Sequence, residues 1–482
     1  MFDLRPVGYV IGLLLAVLGA TMAFPLAVDL FDGNGHWPAF LQAMVLTAVA
    51  GGLLALASAN GVEEGLTIQQ TFVLTTGVWL ALPVFAALPF VFGATEARYV
   101  DAFFEAMSGL TTTGSTVFSG LDDLPRGLLL WRSMLQWFGG IGIIVVAMVF
   151  LPELRVGGMQ IFRSEAFDTM GKILPRAAQI AARISAIYIG LTLACAGAYA
   201  IVGMGLFDAV NHAFTTLSTG GFSTRDASFG AYQGVAEYVA AVFMVLASLP
   251  FVRFVQMLGG QARPLFADSQ VRAFMGAITV LVLVVAAYRV IVNLDNPEHA
   301  FREAIFNVTS IMSGTGYSSV DYQLWGSFPV VVFFLAGLVG GCAGSTSCSI
   351  KIFRYQILVS AIYAQIRRIH SPHGLFAPRF AGRPVGDDVV SSVMAFFVLF
   401  FVSLGVLAVL LGMTGLDFVT SVSGAATALA NVGPGLGDII GPSGNFGGLS
   451  DSAKWLLSAG MLIGRLELMA VYVLLTLQFW RA

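Results

Sequence analysis

Four short runs rich in glycine and hydroxyl residues carry the chemistry this chain can do. They read Thr111-Thr112-Thr113-Gly114, Ser218-Thr219-Gly220-Gly221, Ser313-Gly314-Thr315-Gly316 and Ala430-Asn431-Val432-Gly433. Anchored on their last glycine, the four stretches align without gaps. Glycine admits backbone angles closed to other residues. It can therefore turn successive carbonyls toward one axis, where they replace the hydration shell of a cation, as ion-selective filters do.

The elements that must position these runs are legible just before them. Each repeat opens with a residue suited to a helix N-terminus, Asp101, Asp208, Glu303 or Thr420, where side-chain oxygens cap free amides and acids favour the dipole. A bulky apolar side chain, Leu110, Leu217, Met312 or Leu429, then closes a ten-residue helix against its neighbours. Ten helical residues reach roughly 15 Å, about half a bilayer core. The chain must then turn back, and non-helical backbone at that depth is tolerated only where it is buried in protein or lines a water-filled path. Four such half-helices would aim partly negative C-termini at one ion. Ordinary external loops with turn glycines explain the glycines but not the matched half-helices.

Composition supplies the surroundings. Hydrophobic residues make up 57% of the 482 residues, charged residues only 11%, and mean hydropathy is +0.85. So few charges cannot cover a water-exposed surface, where roughly a quarter is usual. Ten apolar spans are expected, at 7–30, 37–58, 70–93, 127–151, 178–203, 234–259, 271–293, 328–352, 389–411 and 453–479. The four runs fall between spans three and four, five and six, seven and eight, and nine and ten. The first run lacks a basic start and a small-residue cleavage site, so it reads as a retained helix, with a signal peptide as the alternative.

Loop charges set the expected orientation. With the N-terminus inside, Arg155, Arg163, Lys172, Arg176, Arg253, Arg263, Lys351, Arg354, Arg367, Arg368, Arg379 and Arg383 are cytoplasmic. The acids Asp101, Glu105, Asp122, Asp123, Asp208, Asp226, Asp321, Asp438 and Asp451 then lie outside, with the four runs. The loop at 59–69, with Glu63 and Glu64, does not help. Net charge is −3 and gives no global basic surface for nucleic acid. Three cysteines, Cys195, Cys342 and Cys348, give neither a disulfide framework nor a zinc spacing.

With its four loops, Gly344-Ser345-Thr346 after the third and Gly464-Arg465-Leu466-Glu467 after the fourth, the chain resembles the Trk/Ktr/HKT superfamily of potassium transporters, and within it the TrkH-type membrane subunit. The resemblance covers about residues 70–480, and the two preceding spans match the extra N-terminal hairpin of that type. It implies an all-α polytopic fold of four helix–pore loop–helix repeats around a central pore, and potassium bound by the sixteen residues of the four runs. It also implies homodimers with a pore in each protomer, and a cytosolic nucleotide-binding subunit of the TrkA type that gates them. Glycine in all four key columns favours potassium in this superfamily. Ser313-Gly314-Thr315-Gly316-Tyr317 lies closest to a potassium-channel filter, whereas Asn431 and Pro434 make the fourth loop irregular and leave strictness over sodium and rubidium open.

The run Gly340–Ser349 holds no bulky side chain and can unwind mid-membrane. The resemblance implies an intramembrane gate there, at Gly344, Ser345, Thr346 and Ser347; a small-residue packing face is the alternative. Arg465 and Glu467 lie inside the tenth span, where charge is costly. Two apart on a helix, they do not face each other and need separate partners. Arg465 is expected to point below the filter, contact the Gly344–Ser349 loop and oppose cations; a structural ion pair is the competing role. Lys351 reads as a snorkelling anchor, His212 as packed within a pore helix, and His370 with His373 as an improbable metal pair. The outer acids either concentrate cations or are simply solvated.

These readings divide the chain into an N-terminal hairpin at 1–65 and pore repeats at 66–155, 156–262, 263–370 and 371–482. The expected function is potassium uptake across the bacterial inner membrane, multi-pass, with both termini cytoplasmic. Symport coupled to protons or sodium, or a less selective monovalent pathway, are the alternatives. An enzyme is not expected, because the spans hold no paired carboxylates and no His-Asp arrangement. No cofactor is expected on this chain. The inside loops 152–177 and 353–388 carry no Gly-x-Gly-x-x-Gly fingerprint, so ATP, ADP or NAD control must come through a partner docking there.

Overall fold

The computed structural model describes residues 3–61, 66–149, Met159 and 177–481. Glu63 and Glu64, and the charges expected to be cytoplasmic, Arg155, Arg163, Lys172 and Arg176, with most of the 152–177 loop, lie outside the described residues.

Helices dominate because apolar runs this long satisfy their own backbone only as helix. A hairpin comes first, Arg5–Thr21 with Ala23–Asp32 descending to Trp37–Ser58. Its two arms approach closely at glycine. A Cβ at Gly12 would meet the Ala55 amide at 2.5 Å, and one at Gly51 the Ala16 amide at 2.5 Å. Small residues permit such backbone contact between membrane helices.

Four units follow, each an outer helix, a half-helix and an inner helix. The outer helices are Ile68–Ala86, Ala177–Ile201, Ser269–Val292 and Asp387–Met413. The half-helices are Tyr99–Leu110, Leu206–Leu217, Pro297–Ser313 and Phe418–Ala430. Only 28% of the Ala181–Ile201 and Ser269–Val292 spans is buried, against 61% of the first inner helix. The outer helices therefore turn most of their apolar surface to lipid. Each half-helix packs against its own inner helix and the inner helix of the preceding unit, and the first touches the inner helix of the fourth. The four units close into a ring.

Three of the ten expected spans are interrupted by a sharp bend or an unwound segment. The run at 234–259 breaks at Ser248-Leu249-Pro250 and bends by 91° between Val235–Ala247 and Phe251–Leu258. Proline supplies no amide to the preceding turn, which makes a break cheapest there. At 453–479, Asp451–Arg465 and Leu468–Leu474 meet at 110°, with Glu467 at φ +62°. The run at 328–352 is helical only over Ser327–Gly337 before it unwinds, and a new helix, Ile352–His370, carries it onward. The first inner helix, Arg126–Val149, runs unbroken.

The expected N-caps are also displaced. The half-helices begin earlier, after Arg98, Gly205, Asn296 and Asp417. Asn296 accepts from the Glu298 amide, and Asp417 from Val419 and Thr420. Asp101, Asp208 and Glu303 instead pair with Lys454, Arg225 and Arg289 from other elements. Asp101 and Asp208 still lie in the first turn of their helices, but these acids tie elements together, which helix-start statistics cannot distinguish from capping.

Candidate functional site

All four half-helices end in the same way. The amides of Thr112, Thr219, Gly314 and Asn431 donate to the carbonyl three residues back, and those of Thr113, Gly220, Thr315 and Val432 to the carbonyl five back, at 2.8–3.4 Å. This is a Schellman closure. It places Thr112 (φ +52°), Thr219 (+51°), Gly314 (+79°) and Asn431 (+51°) in the left-handed region. Two residues later Gly114, Gly221, Gly316 and Gly433 repeat that hand at φ +77° to +103°. A threonine held there is strained by about 1–3 kcal/mol, which the surrounding structure must impose.

The four turns meet. A Cβ at Gly114 would strike the Gly220 carbonyl, one at Gly221 the Thr315 carbonyl, and one at Gly316 the Val432 carbonyl. A Cβ at Gly433 would lie 2.9 Å from the Thr113 carbonyl, returning to the first loop. The glycines are needed for this mutual approach as well as for their angles. Above them lies a cavity of about 200 Å³ that all four glycines line.

Beneath the glycines, among the described residues, no main-chain amide donates to the carbonyls of the three residues preceding each one. Those residues, Thr111–Thr113, Ser218–Gly220, Ser313–Thr315 and Ala430–Val432, are buried. Buried carbonyls are almost always paired. Side chains engage two of them, Gln136 the Gly220 carbonyl and the Thr219 hydroxyl the Ser218 carbonyl, and the others gather into a ring that suits a desolvated cation.

Polar side chains one turn into the half-helices hold the returning strands. Glu105 accepts from the Val117 amide at 2.9 Å and pairs with buried Arg132 at 2.8 Å. Arg132 also donates to the Ser223 carbonyl, joining loops one and two. His212 Nε2 lies 3.0 Å from Ser223 Oγ, so His212 is packed as expected. Asn307 meets both Ser319 Oγ and the Ser319 amide. Ser423 Oγ accepts from Leu436 in the fourth unit. Gln136 clamps the second loop, donating to the Gly220 carbonyl at 2.7 Å and accepting from the Phe222 amide at 3.0 Å. Tyr317 sends its hydroxyl to Thr215 and Thr216 of the second half-helix.

Below the ring lies the unwound segment. Its two ends form a two-residue parallel pair, Val339–Gly340 with Ile350–Lys351. The backbone between is satisfied by the break in the second inner helix. Cys342 and Thr346 amides donate to the Ser248 and Ala247 carbonyls, and the Phe251 amide to the Gly344 carbonyl. Two interrupted helices thus complete each other, as backbone at membrane depth requires. The residue nearest the ring is Cys348: its Sγ is 3.4 Å from Thr112 Oγ1, and its Cβ would lie 3.1 Å from a Cβ on Gly314. Arg465 reaches this segment. Its Nη1 donates to Cys348 Sγ at 2.6 Å and lies 3.5 Å from the Thr346 carbonyl, while Nη2 donates to the Gly139 carbonyl at 3.2 Å. Glu467 pairs elsewhere, with buried Arg354 of the third unit. A Cβ on Gly464 would strike the Leu429 carbonyl, so this glycine serves close approach to the fourth half-helix. Lys351 does not act as a free anchor; its ammonium donates to the Ser347 carbonyl.

The outer acids are mostly engaged. Asp451 pairs with Arg98, Asp122 and Asp208 share Arg225, and Asp226 accepts from the Gly120 and Leu121 amides. The Arg225 hydrogen bond holds the Asp122 carboxyl below the ordinary carboxylate range. Ties from Tyr232 and the two aspartates raise Arg225. The Asp417 cap is lowered by its bonds to Thr420. Among the described residues no cluster of three His, Cys, Asp or Glu side chains is placed to hold a metal, and His370 and His373 are exposed. The sequence reading missed Cys348, Gln136 and Arg132. A buried arginine beside Glu105 was detectable as charge within a span; a cysteine among small residues was not.

Over residues 36–479 the chain matches the TrkH family, described as cation transport protein. It is 43% identical over 479 residues to the Trk system potassium uptake protein TrkI of Halomonas elongata, covering 99% of this chain and 97% of that one. It is 34% identical to the Trk system potassium uptake protein TrkH of Escherichia coli K12, covering 99% of both. The crystal structure of the potassium transporter TrkH from Vibrio parahaemolyticus superimposes with a TM-score of 0.91 at 33% identity, covering all of both chains. The chain is a multi-pass membrane protein and belongs to the TrkH family of cation transport proteins.

Proposed function

We propose that this protein takes up potassium across the bacterial inner membrane through the ring of loops. The carrying observation is the set of buried carbonyls at residues 111–113, 218–220, 313–315 and 430–432 that accept no main-chain bond. Such oxygens replace water around a stripped monovalent ion. Potassium as the substrate is supported by the Halomonas and Escherichia relatives, which are named potassium uptake proteins.

The segment Gly344–Ser347, with Cys348, closes the path below the ring, and Arg465 places a fixed positive charge in that constriction. Charge fixed where water is excluded repels a cation strongly. A cytosolic nucleotide-binding subunit, in a homodimeric assembly with both termini cytoplasmic, moves this segment; the relatives' Trk system names support a multi-component transporter.

Ion flux into proteoliposomes tests the reading. Potassium and rubidium should pass, with sodium and lithium slower by about tenfold or more, a difference of about 1.4 kcal/mol. Arg465→Ala should raise flux of all four ions. Sodium passing as readily as potassium would remove the selectivity assignment, and unchanged flux in folded Arg465→Ala would remove the barrier.

A further inference from the structure

A cavity of about 540 Å³ lies between the N-terminal hairpin, the first outer helix, the first inner helix and the second outer helix. Its side-chain walls are apolar apart from the Trp79 indole N–H and three hydroxyls, on Thr21, Thr75 and Ser185. Each hydroxyl already gives its hydrogen to a carbonyl of its own helix: Leu18, Thr71 and Ala181 respectively. Water inside would find few partners, and a cavity holds water only where polar partners converge.

The cavity opens through Leu14 and Val17, which are 37% and 60% exposed, onto a surface carrying Leu13, Leu80 and Ile189. That surface is the lipid-facing belt of a multi-pass protein, so the cavity is continuous with the bilayer interface. Its inner wall includes Trp79 and Gly139. These two residues seat Arg465: the guanidinium lies 5.8 Å from the Trp79 ring centroid and donates to the Gly139 carbonyl.

We propose that this cavity is a lipid site that takes one hydrocarbon tail of a membrane phospholipid. The tail enters past Val17 and completes the packing behind Trp79 and Gly139. Without it, the side chains lining the gap would lose dispersion contacts on one face. Binding of the tail does not depend on how Arg465 acts on ions.

The test uses the full chain in proteoliposomes containing a phosphatidylethanolamine with a diazirine midway along one acyl chain. After irradiation, labelled peptides are located by mass spectrometry. Label should concentrate in residues 74–82 and 138–146, by about tenfold over the lipid-exposed segment 398–402. Gly142 is a suitable position to fill the cavity, because a Cβ there would meet only Trp79 at 3.8 Å. Gly142→Leu should cut the label in both segments by about tenfold while leaving 398–402 unchanged. If that variant is not monodisperse, Val78→Phe is read in its place. Labelling of the two segments no greater than 398–402, or unaffected by filling the cavity, would overturn the proposal.

Discussion

The outer and inner halves of this molecule follow different rules. In the outer half, four half-helices end in one Schellman geometry and four glycines repeat one hand of backbone. In the inner half the four second helices diverge: one is straight, one bends by 91°, one unwinds and one bends by 110°. Coordinating an ion from all sides requires equivalent oxygens, so the ring repeats. Obstructing a path needs only one segment, and the breaks that support it need not repeat. On the proposed reading, symmetry marks where an ion is held and its loss marks where passage is controlled.

Gly316→Ala should break the outer half most severely. It adds a Cβ at φ +82° against the Val432 carbonyl. Strain of about 1–3 kcal/mol plus the clash should lower potassium flux by about a hundredfold, measured in proteoliposomes. Gly120→Ala, at φ +71° with nothing nearby, is the control and should keep most of its flux. Equal loss in both would mean that backbone angle alone, without mutual approach of the loops, explains the glycines.

For the inner half, Glu467→Gln removes the carboxylate that pairs with buried Arg354 across units three and four. Removing one member of a buried pair costs about 3–5 kcal/mol, so the thermal transition should fall markedly. Replacing both residues with leucine should recover much of that loss. An unchanged transition in Glu467→Gln would show that the 110° bend stands without the pair.

Gln136→Leu should have the smallest effect. Leaving the Gly220 carbonyl and Phe222 amide unmatched costs about 1–3 kcal/mol in one loop of four. Flux should persist, while the potassium-to-sodium preference falls by about tenfold. A preference unchanged by the substitution would place the second loop's rigidity outside selectivity.

Much of this arrangement was readable in the residues. The glycine column survived because no other residue fits both the angle and the neighbouring carbonyl, so chemistry left one letter to find. The left-handed position two residues earlier was hidden: Thr112, Thr219, Gly314 and Asn431 have no single type in common, and branched threonine argues against that conformation. Apolar length located the spans but concealed their breaks. Pro250 stood inside a continuous apolar run, and Glu467 gave no sign of adopting φ +62°. That Arg465 needs a polar partner followed from its charge within a span, and the unwound segment as that partner followed from the family resemblance. Its sulfur partner did not, since Cys348 lies in a string whose contacts only the tertiary fold decides.

The most direct test is anomalous scattering from crystals of the protein grown with rubidium. The ring predicts a rubidium peak on the axis between the four loops, enclosed by carbonyls from residues 111–113, 218–220, 313–315 and 430–432. Rubidium absent from that axis, while bound elsewhere on a correctly folded molecule, would contradict it.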